Sequence, residues 1–308
     1  MYLLSILKQH FKDEFDWLSV VAVLLFTSVF VFLQYQFQLI STPIKTFPTH
    51  VRIPLYFLLY AVIFGSACAI LYWRKQIPNV FRNPQFWLIA FILVLTVSFD
   101  QSYFLLTLVR NFPFESLAVK EAVVSLGTYL VSFISVFVPA GILYAYIKPE
   151  SFFGLSFNRN TRIRPYWALL FVALLLVAIA TTSAGVSSYY PVVKRSGLYH
   201  NGAELGLPDW LSVTLFEITY ASNFITVELL FRGLFVFCLG KFMGKQAILP
   251  MAACYMVFHF GKPLIETISS FFGGYLLGVF AFYTRNTWGG IILHIGTALF
   301  MELMATLL

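Results

Sequence analysis

Charge is what this sequence has least of. Asp, Glu, Lys and Arg make up 11% of its 308 residues, against about a quarter in an ordinary water-soluble domain. That scarcity excludes a chain with most of its surface in water. Cysteine is scarce as well: Cys68, Cys238 and Cys254 fall inside apolar runs and show no metal-ligand spacing, which excludes a disulfide framework and a thiolate zinc site. Alternation of polar and apolar residues is missing too, which excludes an outer-membrane barrel. What remains is apolar: 60% of the residues are hydrophobic and the mean hydropathy is +0.84. Runs near the roughly 20 residues that cross a bilayer recur along nearly the whole chain and leave no room for a sizeable soluble domain. Lipid cannot satisfy exposed backbone N–H and C=O groups, so such runs must be helices. The fold class is an all-α polytopic membrane protein with about eight or nine transmembrane helices.

Apolar runs separated by charged or proline-rich breaks predict helices over residues 17–38, 53–73, 86–108, 121–147, 165–185, 210–239, 247–261, 264–283 and 289–307. The first ends on the polar series Gln34, Gln36 and Gln38. The opening segment lacks a short apolar core followed by a small-residue cleavage site, so the first span is expected to be retained and preceded by an interfacial helix. With a cytoplasmic N-terminus, the connections on that side hold Arg74, Lys75, Arg82, Lys148, Arg159, Arg162, Arg164, Lys241, Lys245 and Arg285. The other side holds Lys45, Arg52, Arg110, Lys120, Lys194, Arg195 and Lys262, a bias that satisfies the positive-inside rule. The net charge of +7 thus reflects topology, and no nucleic-acid partner is expected. Residues 187–209 read as an exterior loop dividing N-terminal helices over 1–186 from a core over 210–308. No repeat relates the halves, which argues against an inverted-repeat transporter.

The second half also carries polar groups that hydrocarbon should not tolerate: Glu217, Asn223, Glu228, Arg232, His259, Glu266, His294 and Glu302, whereas the first half has only Asp100 in a comparable position. Each ionisable group in the bilayer costs from about 2.5 kcal/mol upward and needs a partner. Glu228 and Arg232 stand four residues apart on one helix face, spaced to form an ion pair. His259 closes "YMVFH" with Tyr255 one turn before it, and His294 opens "HIGTA". Taken singly, each is accounted for by core packing or structural pairing. Measured at 1.5 Å per residue from the nearest cytoplasmic charge, however, Glu228, His259 and His294 lie at roughly 20, 21 and 14 Å. Helix tilt absorbs that spread, so a shared polar cavity is expected. A carboxylate and two imidazoles suit hydrolysis: the carboxylate as general base for water, the imidazoles to polarise a carbonyl, move a proton or bind a divalent ion. Accessory positions are Asn223, Glu302 and the Lys262/Glu266 pair, with Glu217 on the far side. Small residues in "GGYLLG" at 273–278 and "WGG" at 288–290 would let helices approach closely around the site.

These motifs resemble the CPBP family of intramembrane proteases, which includes type II CAAX prenyl endopeptidases and the Abi, or bacteriocin-processing, proteins. That family carries Glu-Glu-x-x-x-Arg, Phe-x-x-x-His and His-x-x-x-Asn on successive membrane helices. Here "VELLFR" at 227–232, "YMVFH" at 255–259 and "HIGTA" at 294–298 follow in the same order, across roughly residues 210–308. Val227 replaces the first Glu, Tyr255 the Phe and Ala298 the Asn. The resemblance implies an intramembrane endopeptidase in a multi-pass cell membrane, by family distribution a bacterial cytoplasmic membrane, acting on a membrane or secreted peptide. Glu228, Arg232, His259 and His294 would be its catalytic residues. Family members are described both as glutamate-dependent and as metalloproteases. No cofactor is expected, and a zinc ion, if bound, would sit on Glu228, His259 and His294. Two other readings stand beside it: a catalytically lapsed relative that binds a membrane partner, and a proton-coupled transporter with the buried Glu and His as relay.

Overall fold

The computed structural model describes residues 2–13, 15–40, 44–157 and 161–307; Arg159, counted in the charge bias, lies outside them. No strand occurs among the described residues. Fourteen α-helices follow in order: α1 (Tyr2–Asp13), α2 (Trp17–Phe37), α3 (Thr49–Trp73), α4 (Pro84–Gln101), α5 (Phe104–Arg110), α6 (Leu117–Ile147), α7 (Arg164–Ala180), α8 (Ala184–Ser187), α9 (Gly197–Asn201), α10 (Asp209–Glu228), α11 (Val236–Met243), α12 (Ile248–Phe258), α13 (Leu264–Thr284) and α14 (Trp288–Leu307). Local chemistry fixes several of their starts. The Asn83 side chain accepts from the Gln85 N–H at 2.9 Å with Pro84 at the first helical position, and Ser116 Oγ accepts from the Val119 N–H at 3.2 Å. Both supply acceptors to amides that have no partner within the helix.

Among the described residues, seven helical runs are long and apolar enough to cross a membrane, and Arg164–Ala180 is a shorter apolar helix of 17 residues. One of the seven, Asp209–Phe258, is not straight. Gly244 adopts φ +58, a left-handed turn that side chains disfavour, and the chain folds back there. Tyr255 consequently lies under Arg232, which a straight helix could not achieve across 23 positions. The fold-back resolves this run into the two predicted spans, although the returning leg α12 has only 11 residues and reaches part-way across. A helix also forms ahead of the first span: α1 packs on α13, and His10 Nε2 meets the Tyr275 hydroxyl at 2.9 Å.

Three expectations need correction. The helix predicted over 86–108 breaks at Tyr103, which takes a left-handed φ of 57, leaving α4 and the short α5. The helix predicted over 165–185 ends at Ala180, because the polar Thr181–Thr182–Ser183 segment closes it with turn hydrogen bonds. The 187–209 segment is no free loop. Tyr190, Val193 and Leu198 are buried, and Glu302 on α14 accepts the Val192 and Val193 N–H groups at 2.8 and 3.1 Å.

The helix between α10 and α11 also departs from α geometry. Leu229–Phe235 is a π-helical turn, a form found mostly as isolated bulges and often at functional sites. Gly233 in that turn lies against the chain at Phe153, whose carbonyl oxygen would be 2.9 Å from any Cβ there. The turn carries Arg232 and follows Glu228 directly. Around it, α10 packs on α6 and α14, α14 on α7, and α12 on α13 and α3, so both halves of the chain enclose the same region.

Candidate active site

Glu228 is 0% exposed and Arg232 1%. The guanidinium Nη1 is 3.2 Å from Glu228 Oε1, at ion-pair distance but without the alignment of a bidentate hydrogen bond. Its Cζ sits 4.0 Å from the centre of the Tyr255 ring, a cation–π contact that holds the charge where water is scarce. The same Oε1 is 3.1 Å from His294 Nδ1. One carboxylate therefore ties a helix turn, an arginine and the histidine of α14 together.

The ring nitrogens can be assigned from their partners. A carboxylate accepts, so Nδ1 of His294 carries the proton and Nε2 presents its lone pair to the Tyr255 hydroxyl at 3.3 Å. His259 Nδ1 lies 2.9 Å from the Tyr255 carbonyl oxygen, which can only accept, so its Nε2 is likewise unprotonated in the neutral ring. Phe224 packs on His294 with ring centres 4.3 Å apart, and Tyr255 on His259 at 4.6 Å. Both imidazoles are thus fixed by backbone, carboxylate and aromatic neighbours.

Two cavities meet at this pair. One, of 220 Å³, is lined by polar groups that include Asp100, Asn223 and Lys262. The other, of 390 Å³, runs between α7, α13 and α14 over apolar side chains such as Leu169, Leu176 and Leu277. His259, His294, Tyr190, Tyr220, Phe224 and Lys262 line both. The geometry offers a polar approach and an apolar approach to the same two histidines.

The predicted site residues divide accordingly. His259 and His294 face both cavities, Arg232 borders the apolar one, and Val227 and Ala298 line the polar and apolar cavities respectively. Glu228 lines neither and acts on them only through His294. Asn223 lines the polar cavity while its Oδ1 accepts from the Thr226 hydroxyl at 3.1 Å. Lys262 Nζ pairs with Glu266 Oε1 at 2.7 Å, and Tyr190 donates to Glu266 Oε2 at 3.0 Å. Glu302, expected to border the cavity, instead holds the backbone at Val192 and Val193, with Glu217 beside it. Sequence reasoning missed the Tyr255 hydroxyl, although its place one turn before His259 was the available signal.

The glycines seat this arrangement. Gly274 approaches the Tyr255 ring, and a Cβ on Gly290 would strike Glu228 Oε2. Gly290→Ala is therefore expected to destabilise the protein by about 1–3 kcal/mol through overpacking. Gly65→Ala, with nothing within 4 Å of the added carbon, should cost nothing. Thermal unfolding of both variants in lipid nanodiscs measures the difference.

No group of three or more His, Cys, Asp or Glu side chains among the described residues is placed to hold a metal ion. Glu228 Oε1 is already engaged by His294 and by the fixed positive charge of Arg232, which would repel a divalent cation.

Residues 208–300 match the family described as Rce1-like, type II CAAX prenyl endopeptidase Rce1-like. No curated protein and no solved structure matches the chain. The matched segment spans α10 to most of α14 and contains Glu228, Arg232, His259 and His294. That family consists of intramembrane proteases. Over residues 208–300 this multi-pass membrane protein is accordingly similar to the Rce1-like type II CAAX prenyl endopeptidase family, in keeping with the CPBP resemblance of its motifs.

Proposed function

We propose that this protein is an intramembrane endopeptidase that hydrolyses a peptide bond of a membrane or secreted peptide without a metal ion. The observation that carries the proposal is the contact between Glu228 Oε1 and His294 Nδ1, on a ring that lines both cavities. A carboxylate behind an imidazole fixes its tautomer and stabilises the imidazolium formed when it takes a proton. Water that displaces the Tyr255 hydroxyl from His294 Nε2 loses a proton to that nitrogen as its oxygen attacks the carbonyl carbon. The C–N bond then breaks, and the imidazolium returns the proton to the leaving amine. The Tyr255 hydroxyl donates to the oxyanion, a role for which the Phe of the family motif has no group. Arg232 balances the Glu228 charge and holds the side chain in place.

This reading accounts for the two departures from the family pattern. Val227 removes a carboxylate, and a histidine backed by Glu228 is the base that remains. Ala298 removes an amide, and Tyr255 brings a donor from the facing helix.

The test is a quantitative comparison of membrane and secreted peptides from cells carrying wild-type protein or Glu228→Gln at matched abundance. The reading expects a set of peptide termini that disappears in the variant. Identical profiles, in cells where deleting the gene has a phenotype, would favour a catalytically lapsed relative that acts by binding.

A further inference from the structure

The polar cavity does not end at the membrane interior. Through Thr128, Tyr129, Tyr189 and Val192 it shares walls with an open vestibule of 760 Å³. Arg110, Lys120, Arg195 and His200 line this vestibule, against one carboxylate, Glu121. Glu121 is already occupied, accepting from Asn201 Nδ2 at 2.7 Å. Arg195 is held in place, donating to the Tyr189 carbonyl at 2.5 Å with its guanidinium 4.4 Å over the Tyr189 ring. No salt bridge among the described residues takes up Arg110 or Lys120. Lys45 lines the inner polar cavity. Deeper in, the charges offset: Lys262 is neutralised by Glu266, and Asp100 stands in the same cavity wall as Lys45.

We propose that the substrate reaches the site as an extended peptide whose acidic residues occupy this vestibule, on one side of the scissile bond. The inference rests on the peptidase reading and names its substrate class. The vestibule lies on the face where α2, α4 and α7 end and α6 begins, opposite the N-terminus. A cleft lined by one sign of charge concentrates ligands of the other sign and speeds their capture. The inner cavity, its charges offset, receives neutral residues. The apolar groove between α7, α13 and α14 then takes the remaining, apolar side of the peptide. An extended chain is the ligand that reaches from the cationic rim to the histidines. A lipid headgroup would be held at the rim alone.

The experiment uses three labelled peptides that share an apolar half and differ in a flanking Glu-Gly, Gln-Gly or Lys-Gly repeat. Their binding to the His294→Ala protein in phosphatidylcholine nanodiscs is read by fluorescence anisotropy, which requires no turnover. At low salt the Glu-Gly peptide is expected to bind about tenfold tighter than the Lys-Gly peptide, with the preference falling as salt is added. Arg110→Glu/Lys120→Glu should abolish or invert the order. If the double variant does not fold, Arg110→Gln alone should narrow it. Equal binding of Glu-Gly and Gln-Gly peptides, or an order unmoved by these substitutions, would overturn the proposal. So would a vestibule whose charge reversal changes retention of phosphatidylglycerol and leaves peptide binding unchanged. Absence of cleavage by the wild type with the binding order intact would sink the peptidase reading while leaving this acidic-ligand site standing.

Discussion

His294→Ala is expected to lower turnover by about 10²- to 10⁴-fold, the range supplied by a positioned general base. Three contacts converge on this ring: Glu228 at Nδ1, the Tyr255 hydroxyl at Nε2 and the Phe224 face. Removing it leaves the cavity without the nitrogen that the carboxylate supports. His259 cannot take its place, because its Nδ1 is committed to the neutral carbonyl of Tyr255, which stabilises an imidazolium less than a carboxylate does. The loss should therefore fall on kcat, with KM for the peptide little changed. A variant whose kcat stays within a few-fold of wild type would remove His294 from the reaction.

Arg232→Ala is the second large effect, and it falls on stability. The substitution strips the only cation from a carboxylate that is 0% exposed and leaves Glu228 Oε1 with His294 alone. Breaking a buried pair from one side costs about 3–5 kcal/mol, because the remaining charge is uncompensated. Glu228→Gln/Arg232→Met, which removes both charges together, should recover most of that stability and none of the activity. Thermal unfolding in nanodiscs distinguishes the two. Equal unfolding temperatures for Arg232→Ala and wild type would mean that the pair is not buried as described. The contrast also separates the two jobs of Glu228: one is to balance Arg232, the other to orient His294.

Much of this site was legible from residue identity and depth. Spacing of four put Glu228 and Arg232 on one face, and helix rise put His259 and His294 at similar depth; these four residues come together in the structure. What the sequence hid depends on contacts between distant segments. The π turn at Leu229–Phe235 arises where Gly233 meets the Phe153 backbone, a contact that no local pattern encodes. The 187–209 segment reads as a loop from its polarity, yet Glu302, over a hundred positions away, satisfies its amides and lets it bury Tyr190 and Val193. That same contact explains why Glu302 is not a cavity residue: its two oxygens are already used. The break at Tyr103 was hidden because the residues on both sides are apolar and only the backbone changes hand.

The central claim is that water is activated by His294, held by Glu228, in a cavity within the membrane. The most direct measurement is hydrolysis in ¹⁸O-labelled water by purified protein in nanodiscs, with a peptide substrate identified from the cellular comparison. Wild-type protein is predicted to yield a new carboxyl terminus carrying the label, at a rate unaffected by metal chelators, and His294→Ala to yield it at least about a hundredfold more slowly. Label appearing equally with both proteins, or only when a metal is supplied, would contradict the account.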